Sequence, residues 1–507
     1  MTERGVVFPE LESGRRSTTA TGKAIVAEAM RAVDEAGSAR VSAESNWRKR
    51  YPQYFEQLTA QAMASADHAN DMAAAGLAAV HSTFQFAGEG EAVSLSDAMS
   101  IPTERRFETA VLTGGADRRP LTVLHQNRHL TGVNLLGQLA QWRERGIIEG
   151  SHAEAVTRVL ENPEWVSELP PIVLLGAGAE MGPFATLLEL GATVIAVDLN
   201  RSSIWGPLLA AARRSAGTLI FPLAKPQTDD MSDQELTELA GANLLTDAAE
   251  ISRWLIELDR PLVLGGYAYR DGSGFVRVSV AMDAIMAEVS QRNAHPVQLA
   301  FLLTPTDVYA VPEAVAAASR ERYEASSGVR SVRSLLRSVS GSRLFAPNVR
   351  QMVSGENGKR YGIINSLITQ QGPNYTLAKR IQRWRSLVAR AEGQLVSCNV
   401  APATYTQSVT KNRLFAAGFA GAQVFGTEAF EPTTSNALMT AQLVADLLDP
   451  QSPSRPDAAF DNPEELFMDG ASHSGFWRMG SQLSSVIEAA VVAGAFKQLR
   501  RRGQVRG

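Results

Sequence analysis

The stretch from Pro171 to Asp198 constrains the fold of this chain more than any other. An apolar run, Ile172-Val-Leu-Leu175, leads into the glycine turn Gly176-Ala-Gly178-Ala-Glu-Met181-Gly182. A helical stretch and a second apolar run, Thr193-Val-Ile-Ala-Val197, follow, and the second run ends on Asp198, 22 residues after Gly176. The pattern reads as strand, tight turn, helix and parallel strand. In such a unit backbone N–H groups and a helix start can meet a phosphate, and a carboxylate at the second strand's end can take a ribose diol.

Alternation continues beyond this unit. Strands are expected at 171–175, 193–197, 218–221, 261–265, 298–304 and 394–400, with helices at 182–190, 205–215, 248–258, 276–291 and 375–391. Apolar strands separated by amphipathic helices predict a doubly wound α/β fold with a parallel sheet covered on both faces. Residues 1–105 are alanine-rich and helical in spacing, as in Ile25, Val26, Ala29, Met30 and Val33. They form an expected N-terminal helical region before a dinucleotide-binding and catalytic domain over 106–450. Residues 307–360 are too long for a connection and contain a helical stretch, so a helical insertion, a lid over the site, is expected there. Residues 451–507 read as a linker and a terminal helix, the linker signal being the run rich in Pro, Asp and Ser from Pro450 to Pro463. The tail Lys497-Gln-Leu-Arg-Arg-Arg-Gly-Gln-Val-Arg506 places cations at that helix's negative end, with a membrane-surface anchor as the alternative.

Composition narrows the function classes. A net charge of -4 leaves no electrostatic footprint for nucleic acid. A single cysteine, Cys398, excludes an internal disulfide framework and any zinc site built on several thiolates. The start Met1-Thr-Glu-Arg-Gly lacks a basic region before an apolar run, and no apolar stretch is long enough to span a bilayer. A cytoplasmic protein acting on a small molecule is the expectation; homo-oligomerisation is left open.

A second chemical signal is Gly372-Pro-Asn-Tyr375-Thr-Leu-Ala-Lys379. Tyr and Lys four apart share one helix face, where an ammonium favours phenolate and lowers the tyrosine's pKa. The strand that follows runs into Pro402-Ala-Thr404. The glycine turn, the Tyr-x-x-x-Lys pair and this proline segment together resemble the short-chain dehydrogenase/reductase superfamily with its NAD(P)-binding Rossmann fold. The chain would be a divergent, enlarged member, with the resemblance running from 171 to about 410. Glu180 replaces the turn's middle glycine and must point away from a pyrophosphate.

The resemblance implies hydride transfer between nicotinamide and a carbonyl or secondary alcohol. Tyr375 is then the acid/base, Lys379 its pKa-lowering partner and Ser366 the residue that positions the substrate oxygen, with Thr304 or Thr306 in its place if the region to 360 is an insertion. Cofactor contacts are expected from Gly176, Gly178, Met181, Gly182, Asp198, Asn243, Asp247, Gly265, Gly266, Pro402 and Thr404. Asp198 favours NAD by repelling a 2′-phosphate, whereas Arg201 would allow NADP. The extra segments suggest a bulky or apolar substrate. The segment around His473 could fold over it. Two other readings compete: an S-adenosylmethionine-dependent methyltransferase using the same Gly176-to-Asp198 unit, and a non-catalytic Rossmann scaffold or cofactor sensor.

Overall fold

The computed structural model describes residues 3–100, 106–325, 344–368, 370–411, 417–418 and 421–491. Its centre is a seven-stranded sheet. In chain order the strands are β1 (Glu108–Thr113), β2 (Ile172–Leu175), β3 (Thr193–Val197), β4 (Thr218–Leu223), β5 (Leu262–Gly266), β6 (Val297–Leu303) and β7 (Val396–Val400). Across the sheet they run β7-β6-β5-β2-β3-β4-β1. Every neighbouring pair is parallel except β4 with β1, which closes that edge antiparallel. The order of connection reverses between β2 and β5, so their carboxyl ends diverge into a crevice.

Alternation of side chains puts one core on each face. Val173, Leu175, Ile195, Val197, Leu262, Leu264 and Leu299 belong to the first, with the helices Ala248–Glu257, Ser273–Arg292 and Gly372–Ala391. Ile172, Leu174, Val194, Ala196 and Val263 belong to the second, with Phe184–Glu189, Ser202–Arg213 and Pro432–Leu448. Both faces are therefore covered, which explains why the strands read as near-continuous apolar runs.

The N-terminal helices Thr18–Arg31, Trp47–Ala62 and Ala66–Thr83 share the first core instead of standing apart. Contact with Gly372–Ala391 is close: a Cβ on Gly76 would stand 2.6 Å from the Trp384 ring. Two expectations change here. The insertion is not simply helical: Val308–Pro312, Val349–Ser354 and Arg360–Asn365 form a small antiparallel sheet beside the helix Glu313–Ala325. Nor is 450–463 a free linker, because Asn462 donates to the carbonyls of Ala62 and Ser65. The next turn buries Glu464 against Arg383. The basic tail after residue 491 lies outside the described residues. Among the described residues no helix is long and apolar enough to cross a membrane.

Candidate active site

A cleft of about 1110 Å³ opens at the carboxyl ends of the strands. Gly176, Gly178, Met181 and Asp198 line it, as do Tyr375, Lys379, Pro402 and Thr404. Two segments separated by nearly 200 residues therefore face one space.

The turn after β2 is held by geometry only glycine allows. Gly176 has φ of +96°, and a Cβ there would lie 2.4 Å from Ala268 Cα. That close approach lets Leu175 O accept from the N–H groups of both Tyr267 and Ala268, at 3.0 and 2.8 Å, joining the ends of β2 and β5. Asp198 reaches back across the turn. Its Oδ2 accepts from Gly178 N at 2.8 Å and its Oδ1 from Leu199 N at 2.7 Å. Burial raises its pKa, against the pull of these bonds. Glu180 turns aside, as the turn requires: its Oε2 accepts from Gln407 N at 2.8 Å.

Tyr375 and Lys379 share the inner face of their helix, but they are not bonded to each other. Lys379 Nζ donates to Leu302 O at 2.7 Å and Gln382 Oε1 at 3.1 Å, and it stands 5.5 Å from the Phe275 ring centre. The Tyr375 ring packs 5.3 Å from Phe275 and 6.4 Å from Tyr269, and Thr304 lines the cleft with it. The expected lowering of the phenol is corrected by these surroundings. Burial pushes Tyr375 up to about 12, partly offset by Thr304. Burial also pushes Lys379 down to about 8. Burial dominates both shifts, and the ammonium's hydrogen bonds go to Leu302 O and Gln382 Oε1.

Other expected site residues separate into two groups. Gly266 and Asn243 line the cleft, although Asn243 Oδ1 already accepts from Leu245 N at 3.0 Å. Ser366 does not line it; the residue is buried, its Oγ has no partner among the described residues, and its backbone N–H donates to Asp307 O. Thr304 and Thr306 take the wall beside Tyr375 instead, their hydroxyls 2.9 Å apart. Asp247 also stays outside the cleft. It accepts from Asn243 N at 2.8 Å, Thr246 Oγ1 at 2.9 Å and Arg106 Nη1 at 2.9 Å, and so closes its own turn. Gly265 serves packing, since a Cβ there would strike the Tyr267 ring at 2.2 Å. Gly182 is buried outside the lining, its carbonyl accepting from Asn436 Nδ2. Arg201 is exposed at a helix start and also lies outside the lining. His473 is buried, stacked 4.6 Å from Trp477 and bonded to Glu149 at 2.8 Å, so it covers no substrate space.

Motif reading missed contributions from remote segments. Thr18, Thr19 and Arg48 of the N-terminal helices line the cleft, as do Tyr269, Arg270 and Phe275 after β5. Only the glycines around Gly272 hinted at the latter loop. Compared with known proteins, the chain matches no family model, no curated protein and no solved structure.

Proposed function

We propose that this chain is an NAD-dependent oxidoreductase with a Rossmann-like sheet, acting on a carbonyl compound or secondary alcohol. The single observation that carries the reading is the shared cleft. The Gly176–Asp198 turn and the Tyr375/Lys379 pair open into one crevice where the strand order reverses.

The residues present fit a dinucleotide. Asp198 uses one bond per carboxylate oxygen, so each oxygen keeps capacity for a ribose hydroxyl. Glu180 turns to Gln407 N and away from the turn's own N–H groups. Asp198 lies in the cleft and Arg201 outside it, which supports NAD over NADP. Nicotinamide, when bound, supplies the hydride. Pro402, Thr404 and Lys379 form the wall that would hold that half. Tyr375, a phenol kept protonated by burial, donates the proton to a reduced carbonyl oxygen, and Thr304 orients the phenol. The methyltransferase reading uses the Asp198 half of the cleft but leaves Tyr375, Lys379 and Thr304 without a role.

Fluorescence titration tests the cofactor half. Wild-type protein should bind NADH more tightly than NADPH, and Asp198→Asn, which keeps an acceptor for Gly178, should weaken NADH about tenfold, the size of one charge-assisted hydrogen bond. A thermal upshift with S-adenosylmethionine and none with NADH would move the assignment to methyl transfer.

A further inference from the structure

We infer that the substrate carries an anionic group, a carboxylate or phosphate, that pairs with Arg48 at the mouth of the cleft. The inference rests on the oxidoreductase reading, since it names the substrate class of that same site.

Charge around Tyr375 is lopsided. Arg48, Arg270, Lys379 and Lys411 line the cleft; of the acids near Tyr375, Asp271 accepts from the Tyr269 hydroxyl at 3.0 Å, and the buried Asp307 is already paired with Arg383 at 3.4 Å. The other lining carboxylates, Asp198 and Glu180, are both engaged by backbone N–H groups. Arg48 makes no hydrogen bond or ion pair with any described residue, whereas Arg50 on the same helix pairs with Glu44.

Its position is set by packing. Arg48 is the second residue of the helix Trp47–Ala62, and Tyr51, three residues on along the same face, is fully buried. The Tyr51 hydroxyl reaches Ile368 O at 3.4 Å, and Ile368 itself lines the cleft. Arg48 Nη1 would stand 3.7 Å from a Cβ on Gly372, the first residue of the helix that carries Tyr375. That helix has no acidic residue in its first turn and no side-chain cap. The exposed Arg48 guanidinium thus stands at the positive end of a 20-residue helix whose first turn holds no acidic residue, in a cleft roomy enough for a ligand. An anion there relieves both. Phe275, Val278 and Ile368 supply apolar wall behind it, so the fitting substrate has a charged head and an apolar body.

The test uses 4-carboxybenzaldehyde and its neutral analogue methyl 4-formylbenzoate, titrated calorimetrically into wild type, Arg48→Met and Arg48→Lys, each with and without saturating NADH. NADH affinity is measured separately on all three proteins. Wild type should bind the acid about tenfold more tightly than the ester, the strength of a charge-assisted contact. Arg48→Met should erase that preference, Arg48→Lys should keep part of it, and NADH affinity should not change. A wild type with no preference, a preference that survives in Arg48→Met, or an Arg48→Met variant that weakens NADH instead would each overturn the assignment. An Arg48-dependent preference for the acid in a protein that does not bind NADH would leave the anion site standing while removing the redox reading.

Discussion

On the proposed oxidoreductase reading, replacing Tyr375 by Phe should lower turnover of a responsive carbonyl compound by about 10²–10⁴-fold, the usual contribution of a positioned general acid. NADH affinity stays within about twofold, because the substitution removes one oxygen and leaves the ring against Phe275 and Tyr269. A variant that turns over at the wild-type rate removes Tyr375 from the chemistry. The wild-type pH profile provides a second reading of the same site. Lys379 is charged below about 8, its value depressed by burial, and becomes neutral as pH rises through it. If its ammonium steadies the cofactor ribose, activity falls above about pH 8. The stability consequence has the opposite sense. Between about 8 and the ordinary lysine value of 10.5 the unfolded chain binds more protons than the folded one, so the destabilisation from burying this cation fades as pH rises.

Arg383→Met should lower stability by about 3–5 kcal/mol, the loss expected when one partner of a buried ion cluster is removed. Arg383 is fully buried, bonded to Glu464 and 3.4 Å from Asp307, and its Nη1 donates to Val308 O at 2.7 Å. The Tyr309 and Phe467 ring centres stand 4.8 and 4.6 Å from its guanidinium carbon. The substitution strands Glu464 and leaves Asp307 to the more distant Arg380, 3.9 Å away, in a buried space. One side chain here ties the Tyr375 helix to the small inserted sheet and the C-terminal segment, so the loss should appear as a lower midpoint in urea and a loosening of all three segments. A midpoint unchanged within error would show that the cluster relaxes or hydrates without cost.

The parallel strands were legible because strands buried on both faces must be apolar throughout, and β2 is such a run from end to end. The small sheet was not legible. Its hairpin, Val349–Ser354 with Arg360–Asn365, has an Asn357-Gly358 turn signal, with Gly358 at φ of +78°. Its third strand, however, lies some fifty residues earlier, behind a helix. The spacing of Tyr375 and Lys379 put both on one helix face, and both line the cleft. Their electrostatics were hidden, because the rings that desolvate them come from residues 269 and 275. Arg48 carried no local signal at all: it is one arginine in a polar helix, and only tertiary packing through Tyr51 brings it to the cleft. The polar run at 450–463 looked like a linker for the same reason, since the partners of Asn462 lie about 400 residues away.

Hydrogen–deuterium exchange of the full chain, with and without saturating NADH, tests the central claim most directly. If one dinucleotide bridges the cleft, bound NADH slows exchange both in the 176–182 turn and in the first turns of the Tyr375 helix. Protection confined to one of these segments, or found in neither, would contradict it.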